Sequence, residues 1–251
     1  MNSKSDQLAQ SFGSQEVAQD ERKRKIRKVF QAVAPRYDLM NDVMSFGIHR
    51  LWKKKLIQAF ANKTAQTIVD LAGGTGDIAR GMSLLKHKVI LVDQSLNMIH
   101  AGKIEEVANI SYINGTGEHI PLKDNSVDAL TISFGIRNMT DIKLCIADIL
   151  RVLKPGGKFY CLEFSKPALF IRPFYALHNR FIIPRLGAAI AKQPLAYQYL
   201  IESIRRFPDQ IEMKELFEYA GFHQVSYQNL SFGIACIHKG EKPLEVADSS
   251  N

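Results

Sequence analysis

The stretch Thr67–Asp77, TIVDLAGGTGD, constrains this chain more than any other. A β-branched and apolar run, Thr67, Ile68, Val69 and Leu71, carries one acid, Asp70, and runs into Gly73, Gly74 and Gly76. A helical pattern starts directly after Asp77. The order is strand, tight turn, helix. Glycine admits positive φ and lets a ligand approach the backbone closely. A helix start offers unpaired N–H groups and partial positive charge to an anionic group. The stretch reads as a cofactor cradle, with an ordinary strand-to-helix turn as the plainer alternative.

Strands and helices then alternate to residue 163. Ile78–Lys86 reads as helix and Lys88–Val92 as a buried strand closed by Asp93. An acid there lies where a ribose would sit, and its carboxylate accepts hydroxyl protons. Leu96–Val107 reads as helix and Ile110–Ile113 as strand, followed by the polar loop Asn114–Glu118. Ser126–Phe134 is a fourth strand running into Gly135-Ile136-Arg137-Asn138, and Asp141–Leu153 a helix with one apolar stripe. Lys154-Pro155-Gly156-Gly157 reads as a sharp stop and turn before a fifth strand, Lys158–Glu163. Helices Tyr197–Arg206 and Gln210–Ala220 and a hairpin-like pair, Gln224–Gln228 and Gly233–His238, complete the pattern. Such alternation predicts an α/β fold with a doubly wound, largely parallel sheet, and a ligand at the carboxyl ends of its strands.

The remainder divides into a flexible N-terminus (1–21), a helical lid (22–62), the main domain (63–240) with a helical insert at 166–209, and a flexible tail (241–251). Six bases between Arg22 and Lys28 read either as a solvated helix face or as a contact with an anionic surface. In Tyr37–Ile57 the groups Tyr37, Met40, Met44, Phe46 and Trp52 accompany Asp38, Ser45 and His49, as core contacts of a cap or as a lid over an apolar ligand. The stretch 168–192 is apolar and basic without an acid, either a helical pair on the sheet or a surface for a greasy substrate. Net charge +8 over 251 residues favours anionic partners. Cys145, Cys161 and Cys236 have no CxxC spacing, which argues against a disulfide scaffold or zinc and for a reducing compartment. No secretory h-region and no membrane-spanning run is expected.

The turn Gly74-Thr75-Gly76-Asp77-Ile78-Ala79 satisfies G-x-G-x-x-A, so an NAD(P)-dependent oxidoreductase is one reading. Asp70 inside the strand, the KPGG turn and the terminal hairpin instead resemble the class I S-adenosylmethionine-dependent methyltransferases, which implies a seven-stranded sheet with its last strand antiparallel. Two longer segments narrow the resemblance. They are Tyr37-Asp38-Leu39-Met40-Asn41 with Ser45, His49 and Trp52, and Arg151–Gly157 with Glu163 and Ser165. With LAGGTGD, ISFGIRN and LEFSKP, these resemble the signature patterns of the UbiE/MenG (Coq5-type) quinone C-methyltransferases over roughly residues 26–240. The chain departs from that pattern in a shorter loop at Leu84–Lys88, a longer tail, and Thr116-Gly117 in place of the usual asparagine-alanine.

The resemblance implies C-methylation of a polyprenylated benzoquinol or naphthoquinol in ubiquinone or menaquinone biosynthesis, with S-adenosyl-L-methionine as donor and no metal. By position in the chain, donor contacts are expected from Asp70, Gly74, Thr75, Gly76, Asp93, Thr116, Gly117 and Ser133. Position at the end of the fourth strand puts Arg137 and Asn138 at the reacting ring, and the lid offers a base among Tyr37, Asp38 and His49. An ion pair of Arg137 with Asp141 or another loop acid is the structural alternative. Expected partners are the quinol, an anionic membrane surface and other quinone-biosynthesis enzymes, without nucleic acid, in the cytoplasm at the inner face of the membrane. Ring type, tail length and oligomeric state stay open, with a homodimer among the allowed assemblies. A non-enzymatic RNA-binding module on the same fold is the third reading, without an RRM or KH signature behind it.

Overall fold

The computed structural model describes residues 4–12, 15–33, 39, 41–42, 45–102, 107–177 and 194–244. In chain order the elements are α1 (Lys4–Ala9), β1 (Ser11–Phe12), β2 (Gln15–Glu16), α2 (Gln19–Val33), α3 (Ile48–Gln58), β3 (Thr67–Leu71), α4 (Asp77–Leu84), β4 (Lys88–Asp93) and α5 (Leu96–Gly102). There follow β5 (Ile110–Asn114), β6 (Val127–Ser133), α6 (Ile142–Val152), β7 (Leu153–Phe164), α7 (Arg172–Leu177), α8 (Pro194–Arg206), α9 (Gln210–Tyr219), β8 (His223–Leu230) and β9 (Ala235–Glu241).

The main sheet has seven strands in the order β5-β4-β3-β6-β7-β9-β8. Strands β3 to β7 pair in parallel, and β9 runs antiparallel to both its neighbours. Side-chain alternation explains the two covered faces. Along β7, Phe159 and Cys161 enter one core with Ile146, Ile149 and Phe217, whereas Tyr160 and Leu162 enter the other with Leu56, Phe60 and Met82. Each strand residue is buried by the layer its pleat faces.

The order of β3 at the sheet centre, with β4 on one side and β6 on the other, creates the switch point where a ligand crevice forms. The turn after β3 is tight for stated reasons. A Cβ on Gly73 would lie 2.7 Å from Leu91 Cγ and 2.9 Å from Asp70 Oδ2. Gly76 caps α4 in the left-handed region (φ 85°) and contributes no side-chain cap. The cap comes from β3 instead: Asp70 Oδ2 accepts the Ala79 N–H at 3.0 Å, satisfying one of the four free donors at the helix start.

Three sequence expectations change here. Lys154–Gly157 does not end the helix in a turn but stays within β7 as a bulge. Val127 pairs with Leu153 and Ala129 with Lys158, and the Gly156 N–H is taken by Lys242 O at 3.0 Å. Within the N-terminal stretch expected to be flexible, α1 inserts Leu8 into the core and sets Asp6 2.8 Å from Lys143. The tail joins the sheet through Glu241 and Lys242, whose Nζ donates to Leu153 O at 2.8 Å. Of the insert, 178–193 lies outside the described residues.

Candidate active site

The carboxyl ends of β3, β4, β5 and β6 surround a cavity of about 60 Å³. Gly74, Asp93, Thr116, Gly117 and Asn138 line it, so the structure brings these five sequence-predicted residues together. Asp93 is its polar centre. One carboxylate oxygen accepts the Gly74 N–H at 2.9 Å and the other the Ser95 N–H at 2.7 Å. Burial raises its carboxyl above the ordinary value, opposed by those two backbone bonds. A carboxylate has about four lone-pair directions, so two remain for hydroxyl donors. Met98, Phe134 and Met139 supply apolar wall. An acceptor-rich acid, glycine backbone and apolar side walls offer the polar and apolar contacts that a nucleoside takes.

Other expected residues stand beside the cavity rather than on it. Asp70 is buried and serves the α4 cap described above. Thr75 is buried, and its carbonyl accepts from Arg80 at 2.6 Å. Ser133 Oγ is buried without a hydrogen-bond partner among the described residues. Arg137 is also behind the lining, and its partner is neither Asp141 nor solvent. Nη1 donates to Glu163 Oε1 at 2.6 Å and to Phe134 O at 2.7 Å, with both side chains of the pair buried. Burial pushes the Glu163 carboxyl up while the Arg137 charge opposes it. Arg137 Nε and Glu163 Oε2 have no partner among the described residues. Asn138 is oriented from behind: the Tyr199 hydroxyl donates to its Oδ1 at 2.8 Å. The Phe134 carbonyl, which can only accept, lies 3.5 Å from Nδ2 and makes that atom the donor; it is the one acceptor of Nδ2 among the described residues.

Tyr37 and Asp38 lie outside the described residues. His49 is described and buried. Ser45 Oγ lies 2.7 Å from both Asn41 O and His49 Nδ1; with its one proton assigned to the Asn41 carbonyl, the His49 contact is donated by Nδ1–H. Asp42 is turned to Arg50 at 2.6 Å and is 3.9 Å from His49. Burial first, then the Lys53 charge, lowers the His49 imidazole to about 4. It is neutral near pH 7, with Nε2 as its lone-pair nitrogen. Elsewhere in the lid segment Trp52 is buried against Phe134 and Phe164, and its Nε1–H reaches Ser231 Oγ at 2.9 Å, whereas Leu39 and Phe46 are exposed and Met40 and Met44 lie outside the described residues.

Sequence reading missed a wall. Arg27 and Phe30 of α2 line the cavity, on the helix read as a basic run. The available signal was the spacing of Arg22, Ile26 and Phe30, one residue per helical turn, which puts one base of the run on the buried side.

Two buried groups make a pH prediction. Burial raises Asp70 from 3.8 to about 7. The folded chain then holds a proton that the unfolded chain has released, so its contribution is complete below 3.8 and lost as pH rises through 7. His49, lowered from 6.5 to about 4, works the other way, and its contribution is lost as pH falls through that window. In the overlap the slopes oppose. Relative to wild type, Asp70→Asn is expected to make urea stability rise more steeply with pH, and His49→Gln less steeply. Parallel slopes in the two variants would contradict both assignments.

Strand order, antiparallel β9 and the crevice after β3 define an S-adenosylmethionine-dependent methyltransferase fold. A Burkholderia thailandensis 1,6-didemethyltoxoflavin-N1-methyltransferase, solved with 1,6-didemethyltoxoflavin and S-adenosylhomocysteine, has the same fold (TM-score 0.64, 15% identity, 92% of each chain). The ubiE/COQ5 methyltransferase family model matches residues 16–242, and the chain belongs to that family. It is 54% identical over 94% of both chains to a ubiquinone/menaquinone biosynthesis C-methyltransferase UbiE of Rubrivivax gelatinosus. It is 45% identical to one of Proteus mirabilis, over 92% of this chain and 96% of the relative. The protein is therefore an S-adenosylmethionine-dependent methyltransferase, and neither the oxidoreductase nor the RNA-module reading is favoured.

Proposed function

We propose that this enzyme methylates a ring carbon of a polyprenylated quinol, benzoquinol or naphthoquinol, in ubiquinone or menaquinone biosynthesis. The similarity to the Rubrivivax relative, running nearly end to end, carries the reading. When bound, S-adenosylmethionine supplies a methyl that is electrophilic on its sulfonium. The chain must hold the ring carbon in line with it, and alignment is worth on the order of 7–11 kcal/mol at best. Asp93 takes the ribose hydroxyls, the Gly74–Gly76 backbone with Thr75 the methionine part, Thr116 and Gly117 the adenine edge, and Ser133 the side of β6. The carboxylate of Asp70 shapes the turn from below.

At the ring, Asn138 Nδ2 donates to a quinol oxygen. Arg137 favours the phenolate by its charge from behind the cavity lining, and Glu163 keeps that charge in place. A phenol with a pKa near 10 gains nucleophilic carbon character as it loses its proton, so a nearby cation aids the reaction. Tyr37, Asp38 and His49 remain the proposed candidates for the base.

Quinones extracted from a strain lacking this protein should contain the precursor without the ring methyl. An unchanged quinone profile would sink the reading.

Among the described residues no helix is long and apolar enough to cross a membrane. The substrate's tail is nevertheless lipid-soluble, and Lys23, Arg24, Arg27 and Lys28 are exposed on α2, as are Leu169 and Phe170. These support contact with an anionic leaflet, the cytoplasmic one. Equal sedimentation with anionic and neutral vesicles would count against it. Contacts with other enzymes of the route and a homodimer belong to the same proposal.

A further inference from the structure

Arg22 is fully buried, yet no step above uses it. Among the described residues its guanidinium donates only to backbone carbonyls: Nε to Ser11 O at 3.0 Å, Nη1 to Met139 O at 2.7 Å and Nη2 to Arg137 O at 2.9 Å. Among the described residues no carboxylate forms an ion pair with it. A buried cation of this kind costs desolvation, and here carbonyl dipoles offset it.

The choice of carbonyls is informative. Those of Arg137 and Met139 flank Asn138, and Asn138 and Met139 both line the cavity. The third, Ser11 O, ties in the β1–β2 hairpin. Its Phe12 stacks on Tyr199 at 4.8 Å, and the Tyr199 hydroxyl holds Asn138. Further along the same helix as Arg22, Arg27 and Phe30 form the facing wall. One side chain thus spans the helix that covers the cavity and the loop that carries the ring-facing residues.

We propose that Arg22 is a positioning residue for methyl transfer. It fixes the Gly135–Met139 loop and α2 relative to each other, so that Asn138 and the donor meet the ring in register. Guanidinium suits this task because its five N–H groups diverge in a rigid plane and reach separate acceptors.

The test uses the full chain as wild type, Arg22→Met and Arg22→Lys, whose ammonium keeps the charge and several donors. Per donor-binding site, Arg22→Met is expected to lower kcat on a short-chain quinol about 100-fold, the scale of a 1 Å misplacement. Donor affinity should change far less, and lysine should recover most of the loss. The second readout is the Met139 methyl signal in carbon-13-methionine-labelled protein with S-adenosylmethionine alone, assigned with Met139→Leu. It should move in Arg22→Met and return towards wild type in Arg22→Lys.

The kcat measurement rests on the quinol reading. The Met139 signal does not, so failure of that reading and failure of this one are distinguishable. Should Arg22→Met not fold, the neutral Arg22→Gln takes its place in both measurements. Wild-type kcat per donor-binding site in the neutral variant, absence of recovery by lysine, or an unmoved Met139 signal would each overturn the proposal.

Discussion

Asp93→Ala is expected to weaken S-adenosylmethionine binding about 100-fold or more. Two ribose hydroxyls donating to a carboxylate are worth about 1.5–3 kcal/mol each, and about 1.4 kcal/mol is a factor of ten. The same substitution strips the acceptor from the Gly74 and Ser95 N–H groups. Each buried donor left without a partner costs about 1–3 kcal/mol, so the variant should also melt earlier. Asp93→Asn keeps one acceptor oxygen and should fall between the two in affinity and in melting temperature. Calorimetric titration decides the matter, and affinity within a few-fold of wild type for Asp93→Ala would remove the residue from the donor site.

Breaking the Arg137–Glu163 pair should separate folding from chemistry. Glu163→Ala leaves a guanidinium buried and unpaired, a loss of about 3–5 kcal/mol. The double variant Arg137→Met/Glu163→Leu replaces the pair with apolar volume and should recover most of that stability, since buried pairs are often replaceable in this way. Methyl transfer should not return with it, because the cation behind the ring has gone, while donor binding should stay near wild type. Denaturant unfolding and single-turnover methylation measure the two quantities on the same proteins. Additive stability losses, or an active double variant, would show that the pair neither couples nor contributes to the reaction.

How much of this was legible can be seen residue by residue. The switch point was, because TIVDL, glycines and an acid closing β4 are local signals, each decided by a few neighbouring side chains. Asp93, Gly74, Thr116, Gly117 and Asn138 followed from their places at strand ends. The KPGG segment was misread because a proline followed by two glycines looks like a turn in one dimension. Whether such a segment turns or bulges depends on what strand lies beside it, here Lys242. Arg22, within the 22–28 run, escaped the sequence for a related reason. Charge counts treat all bases alike, whereas Arg22 of that run is buried and donates to carbonyls more than a hundred residues away.

The sequence by itself determined that a strand, a glycine turn and a helix start would make an acceptor-lined cradle, with Asp93 closing the next strand. These depend on pattern and backbone freedom, which act over a few residues. Only the tertiary structure decided which charges are spent on one another. Asp70 caps α4, Arg137 pairs with Glu163, His49 is held neutral, and Arg22 holds the loop. Burial and partner distance set those roles, and both are properties of chain segments that meet only when the sheet is assembled.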